Sequence, residues 1–180
     1  MTDLLTNRDL VCSLTVSIES LSIAGVHIGT ASRYVPRERI VDVTNSPIVR
    51  TYRKTREAGP QFFDGTGRQI PLSEVIDSVI YSNGILHLPE GASFKIKDGL
   101  VVGLALYSAS LSRRFEDLES YEDFVRAFGA PDRVTEMEDD GELMAYDHYY
   151  FRLHKHATWG VMPSGKVESV NWGDFPGNAG

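Results

Sequence analysis

Residues 120–172 constrain the fold of this 180-residue chain more than any other stretch. Ser120-Tyr-Glu-Asp123 has the form of a helix capping box, with Asp where Glu or Gln is usual. Phe124, Val125 and Phe128 then share one helical face, and Gly129 followed by Pro131 supplies a left-handed stop and a block to continuation. The spacing predicts a helix over 121–128, whose first-turn acids, Glu122 and Asp123, suit the positive end of the helix dipole. Strand patterns follow at 134–138, 142–153, 157–162 and 167–172, punctuated by Asp139-Asp140-Gly141 and Pro163-Ser-Gly165. This is one helix followed by a four-stranded antiparallel meander.

The first half repeats that outline more loosely. Ile85-Leu-His-Leu88 and Tyr150-Phe-Arg-Leu153 each precede a glycine, Gly99 and Gly165, by 11 and 12 residues, and the strands after those glycines match in pattern. The segment 32–43 reads as the corresponding helix, with Pro36 tolerated in its first turn. An insertion at 45–71, with Pro47, Gly59-Pro60 and Asp64-Gly-Thr-Gly67, has no counterpart in the second half. Residues 13–23 alternate with a change of phase near Glu19-Ser20, the mark of a strand with a bulge or turn. The 173–180 tail is Gly/Pro/Asn-rich and reads as frayed. The expectation is a single α+β domain over 1–180, mostly antiparallel sheet with a few short helices. Within it, 10–107 and 115–172 are candidate helix-plus-meander pseudo-repeats.

Composition narrows the function classes. The longest apolar run, residues 99–107, is about half of a bilayer span, and the first residues lack a secretory core, which predicts a cytoplasmic protein without membrane partners. A lone Cys12 rules out an internal disulfide and argues against a cysteine-based zinc site. The net charge of −7 argues against nucleic-acid binding. Residues 116–147 hold twelve acids against two bases, a net −10, and the remainder sums to +3. The acidity belongs to one region.

Chemistry-bearing clusters are few. His148, His154 and His156 share parity if 142–156 is one strand, with Tyr150 and Arg152 on the same face. The imidazoles of His154 and His156 would then stand about 7 Å apart, within reach of one ion. On this reading Tyr149, Phe151 and Leu153 form the core face and the His side is a solvated or partner-contacting face, with Trp159 among the aromatics beside it that suit an interface hot spot. Glu138, Asp139, Asp140 and Glu142 form an acidic hairpin without the ligand order of a calcium loop, and present negative charge suited to a basic cleft. Asp64-Gly-Thr-Gly67 lacks phosphate-loop context, and the bases Arg50, Arg53, Lys54 and Arg56 read as solvated or paired. No nucleophile–base order or metalloprotease motif is present. The expectation is a non-enzymatic binding protein without a cofactor or resident metal, with Glu138, Asp139, Asp140, Glu142, His148, Tyr150, Arg152, His154, His156 and Trp159 as partner-binding residues. The alternative is a metal-dependent or small-ligand enzyme centred on His148, His154 and His156.

The Phe128-Gly-Ala-Pro131-Asp132 stop before a meander resembles small bacterial α+β proteins, among them β-lactamase-inhibitor-like folds. With Gly25-Val-His-Ile-Gly-Thr30 and Gly165-Lys-Val-Glu-Ser-Val-Asn-Trp172, it is similar in outline to immunity proteins of polymorphic toxins. The immunity factors of NAD-cleaving toxins are among these. That resemblance implies stoichiometric occlusion of a cognate toxin's active site in a heterodimer, and it carries over no catalytic residues.

Overall fold

The computed structural model describes residues 2–161 and 165–174. In chain order the elements are β1 (Thr2–Asp3), α1 (Arg8–Cys12), β2 (Leu21–Ser22), β3 (Asp42–Thr44), β4 (Thr51–Thr55), β5 (Gly59–Phe63), β6 (Gln69–Ile70), α2 (Leu72–Ile80), β7 (Gly84–Leu88), β8 (Ala92–Lys97) and β9 (Leu100–Tyr107). Then come α3 (Ser108–Leu111), α4 (Tyr121–Phe128), β10 (Arg133–Asp139), β11 (Glu142–Tyr150), β12 (Lys155–Gly160) and β13 (Lys166–Gly173). Eight strands form an antiparallel sheet in the order β10-β11-β12-β13-β9-β8-β7-β3, and β4-β5-β6 form a second sheet. The fold is α+β. Among the described residues no helix is long and apolar enough to cross a membrane.

The chain divides into two compact units. One comprises Met1–Ile28, Glu90–Ala92 and Gly103–Gly180, the other Gly29–Pro89 and Ser93–Val102. Charge divides with them: the first holds eight Lys/Arg against eighteen Asp/Glu, the second ten against seven.

In the first unit, α4 lies where its sequence places it. The Ser120 hydroxyl accepts from the Asp123 N–H (3.2 Å) and donates to the Asp123 carboxylate (2.8 Å). The shorter Asp thus bonds the cap's hydroxyl where a capping-box Glu reaches the cap's N–H. Gly129 ends the helix at φ 75°, a conformation costly for residues with a Cβ, and its N–H bonds Val125 O (2.9 Å). Phe124 and Phe128 are fully buried, and Phe124 lies 4.9 Å from the His148 ring and 5.5 Å from Trp159. Each such side chain contributes about 1.5–3 kcal/mol by leaving water. The β10–β11 turn uses Asp140 (φ 49°) and Gly141 (φ 81°), the pair of positive φ values that matches strand twist in a tight hairpin.

In the second unit, α2 packs on β7, β3 and β5 through Val75, Ile76, Val79 and Ile80. The insertion at 45–71 forms β4 and β5 and leads into β6, an exposed ribbon anchored by the buried Phe62 and Ile70.

Three sequence expectations are corrected. Residues 32–43 are not a helix: they make two 3-10 turns, Ser32–Tyr34 and Arg37–Arg39, before β3 begins at Asp42. Pro36 disfavours helical geometry at Val35, which is extended at ψ 132°. The helix of this half is α2, whose Leu72, Val75, Ile76 and Val79 recur at helical spacing. Residues 13–20 are not a strand: the Ser13 hydroxyl accepts from the Thr15 and Val16 N–H groups and turns the chain after α1, and the expected turn near Glu19-Ser20 is a 3-10 turn, Ile18–Ser20, ahead of the short β2. Finally, the strand at 142–153 stops at Tyr150 and a 3-10 turn spans Phe151–Leu153. The Pro163-Ser-Gly turn and most of the tail lie outside the described residues.

Candidate polar face and acidic edge

Register assigns the side chains of the first unit's sheet to two faces. His148 pairs with Ala157, which pairs with Val170, and Tyr150 pairs with Lys155, which pairs with Trp172. Directly opposed residues of an antiparallel ladder share a face. This face is the one α4 covers. Tyr149 pairs with His156 and then Asn171, and Asp147 pairs with Thr158 and then Ser169, so these form the other face.

On the α4 side, His148 is 1% exposed. The Tyr121 hydroxyl shares a hydrogen bond with its Nε2 (2.7 Å), and Nδ1 has no hydrogen-bond partner among the described residues. Burial pushes the imidazole down to about 4, so it is neutral near pH 7. Lys155, 2% exposed, is the deepest charge. Its Nζ has one acceptor, Ser13 O at 3.4 Å, and sits 5.0 and 5.1 Å from the Phe128 and Tyr150 ring centroids. Burial pushes this amine down to about 8, and ring faces supply part of the lost hydration. Tyr150 OH donates to Gly129 O (3.2 Å), and burial pushes the phenol up.

The opposite face is polar and almost fully buried. Thr158 Oγ1 donates to Asp147 Oδ1 (2.7 Å), and Ser169 Oγ donates to Thr158 Oγ1 (3.2 Å). His156 Nε2 lies 3.0 Å from Asp147 Oδ1, in ion-pair range though not aimed as a hydrogen bond. Asn171 Nδ2 is 3.4 Å from His156 Nδ1, and Asn171 Oδ1 is buried without a partner among the described residues. Burial pushes the Asp147 carboxyl up, but the His156 and Thr158 contacts outweigh it and hold the group below the usual carboxylate range. Tyr149 stacks on His156 at 4.7 Å, and the Arg133 guanidinium lies over Tyr149 at 4.3 Å. The layer has an acid and an imidazole but no aligned nucleophile. The Thr158 hydroxyl binds the carboxylate rather than the imidazole.

The acidic hairpin is at the sheet edge. β10 is the terminal strand, and six of its seven residues are exposed, among them Val134 (44%) and Met137 (48%). Glu136, Glu138, Asp139, Asp140 and Glu142 are all exposed, and none enters an ion pair among the described residues. No Lys or Arg occurs between Arg133 and Arg152.

The structure therefore separates the residues singled out in the sequence. Glu138, Asp139, Asp140 and Glu142 stand in solvent together. His148, Tyr150, His156 and Trp159 are buried at 1, 3, 8 and 2% exposure, which corrects the expected wet face. Arg152 and His154 are exposed in the turn. His148 and His156 lie on opposite faces, and among the described residues no three His, Cys, Asp or Glu side chains gather as metal ligands. Sequence reasoning missed Asp147, Tyr149, Thr158, Asn171 and Lys155. Their one signal was an acid and a base set within otherwise uncharged strand runs. Comparison with known proteins returns no matching family model, no matching curated protein and no matching solved structure.

Proposed function

We propose that this chain is a non-catalytic, cytoplasmic binding protein that docks its acidic β10–β11 hairpin on a basic surface of a partner protein. The carrying observation is the set of five exposed carboxylates, unpaired among the described residues, on a hairpin whose turn geometry is fixed. Negative potential on a rigid element raises association rate and selects against like-charged partners. The resemblance to immunity proteins makes a secreted toxin, including an NAD-cleaving one, the proposed partner, with its active-site cleft as the basic surface. The test is calorimetry with the partner recovered from the source organism. The Glu138→Lys, Asp139→Lys, Asp140→Lys triple variant should bind at least about tenfold more weakly and with a flatter salt dependence. Unchanged affinity removes the hairpin from the interface.

A second reading follows from the Asp147–His156–Asn171 layer, because buried polar groups with an unpartnered acceptor are uncommon outside functional sites. Under that reading the chain takes a small ligand on the Tyr149 face. Asp147→Asn would then abolish binding of that ligand while leaving partner binding intact.

A further inference from the structure

We propose that the outer edge of β10 receives an extended basic segment of the partner as an added strand. This rests on the binding function proposed above and assigns its mode. β10 ends the eight-stranded order, so along one side its backbone N–H and C=O groups have no strand partner among the described residues. Its ladder with β11 is regular from Arg133 to Met137 and shifts at Met137/Glu138, which leaves a five-residue template before the bulge. An added strand gains main-chain hydrogen bonds along such a template and takes specificity from alternate side chains.

The side chains on β10 define the occupant. Val134 and Glu136 alternate on one face, and Glu138 and Asp139 follow past the bulge. An incoming segment therefore places an apolar residue opposite Val134 and Lys or Arg opposite Glu136 and the acids beyond it. A second copy of this chain is disfavoured, since two β10 edges paired antiparallel about Glu136 would oppose like carboxylates there. Charged edge residues ordinarily guard against such self-pairing, and the guard selects a strand of opposite sign.

Two capped peptides matched in length to β10 serve as probes against the isotopically labelled full chain at low salt: one, the Lys-Val peptide, carries Val opposite Val134, Lys opposite Glu136 and Glu138 and Thr between them, and the other has Glu in place of each Lys. Amide shifts and hydrogen exchange are the readout. The Lys-Val peptide should bind saturably, slow exchange of amides within Arg133–Met137, and bind about tenfold more tightly than its acidic counterpart. The Glu136→Lys, Glu138→Lys variant, changed at exposed positions, should reverse that preference. Perturbation confined to Asp139–Glu142 would overturn strand addition while leaving hairpin docking in place. Saturable binding of neither peptide, or charge-independent binding mapped to another element, would overturn strand addition, and in the second case the acidic hairpin's role would fall as well.

Discussion

His148 and His156 belong to adjacent strands of one sheet yet face opposite sides of it. The turn at Phe151–Leu153, closed by His154 in the left-handed region (φ 46°), reverses the chain so that His156 opposes Tyr149. An even-numbered residue thereby pairs with an odd-numbered one, and side-chain parity inverts across the turn. His148 joins the packed side under α4, and His156 joins the polar layer with Asp147. The environments then diverge: one imidazole has a single phenol partner among aromatic rings, the other a carboxylate and an amide.

The His148 environment predicts acid sensitivity. Its imidazole falls from an ordinary 6.5 to about 4 in the folded chain, so between those values the unfolded chain binds the extra proton. Stability from this group is complete above pH 6.5 and is lost as pH falls toward 4, by about 3 kcal/mol in all. Urea unfolding across that window should show the slope, and the His148 ring resonances should titrate below pH 5. Titration near 6.5 would contradict the burial described.

Lys155 predicts the opposite end of the pH scale. The unfolded amine stays protonated to about 10.5, whereas the folded one releases its proton near 8. Stability should therefore rise between pH 8 and 10.5, by up to about 3 kcal/mol from this group. Lys155→Met keeps the aliphatic volume and removes the buried charge, so it should raise stability at pH 7 by about 1–3 kcal/mol and flatten the alkaline rise. A destabilised Met variant would show that Ser13 O and the two rings more than offset desolvation.

The parts legible in the sequence were those encoded locally. Ser120, Phe124, Phe128 and Gly129 define a helix through cap, face and stop, and Asp140-Gly141 defines a turn through its φ values; none needs distant context. The 151–154 turn was illegible because Tyr150-Phe-Arg-Leu153 carries no Gly, Pro, Asn or Asp, and His154 takes the left-handed conformation that glycine usually fills. A missed turn inverts every face assignment after it. That one error moved His156 from the interior to the surface. It also hid the Asp147 layer, whose members come from three strands. The missed α2 had a different cause: its apolar spacing was present, but the segment lay beside the Gly- and Pro-rich insertion at 45–71.

The helix cap supplies a stability prediction independent of titration. Ser120→Ala removes the acceptor for the Asp123 N–H and the donor to its carboxylate, and should cost about 0.5–2 kcal/mol. Gly129→Ala should cost more than the cap. The residue sits at φ 75°, and a Cβ there would come within 2.5 Å of Leu14 Cδ1, an end atom able to yield at the expense of its packing. Chemical denaturation with far-ultraviolet dichroism ranks the two. Equal losses would mean that Leu14 moves freely.

Zinc titration tests the face inversion directly. A single strand carrying His148, His154 and His156 would let one ion draw on two or three imidazoles, with affinity falling steeply when any is removed. Opposite-face placement instead predicts that His148, enclosed by Tyr121 and Phe124, keeps its ring resonances unmoved as zinc is added to untagged protein. His156, already beside Asp147, should respond only weakly, and His154, exposed in the turn, should show the largest response of the three. Asp147→Asn then separates pairing from metal binding. It should destabilise the fold by about 1–3 kcal/mol, because it replaces the buried carboxylate that accepts from Thr158 and lies 3.0 Å from His156 Nε2. Concerted loss of zinc affinity on replacing either His148 or His156 would require one ion to reach both faces, which the Tyr149–His156 register forbids.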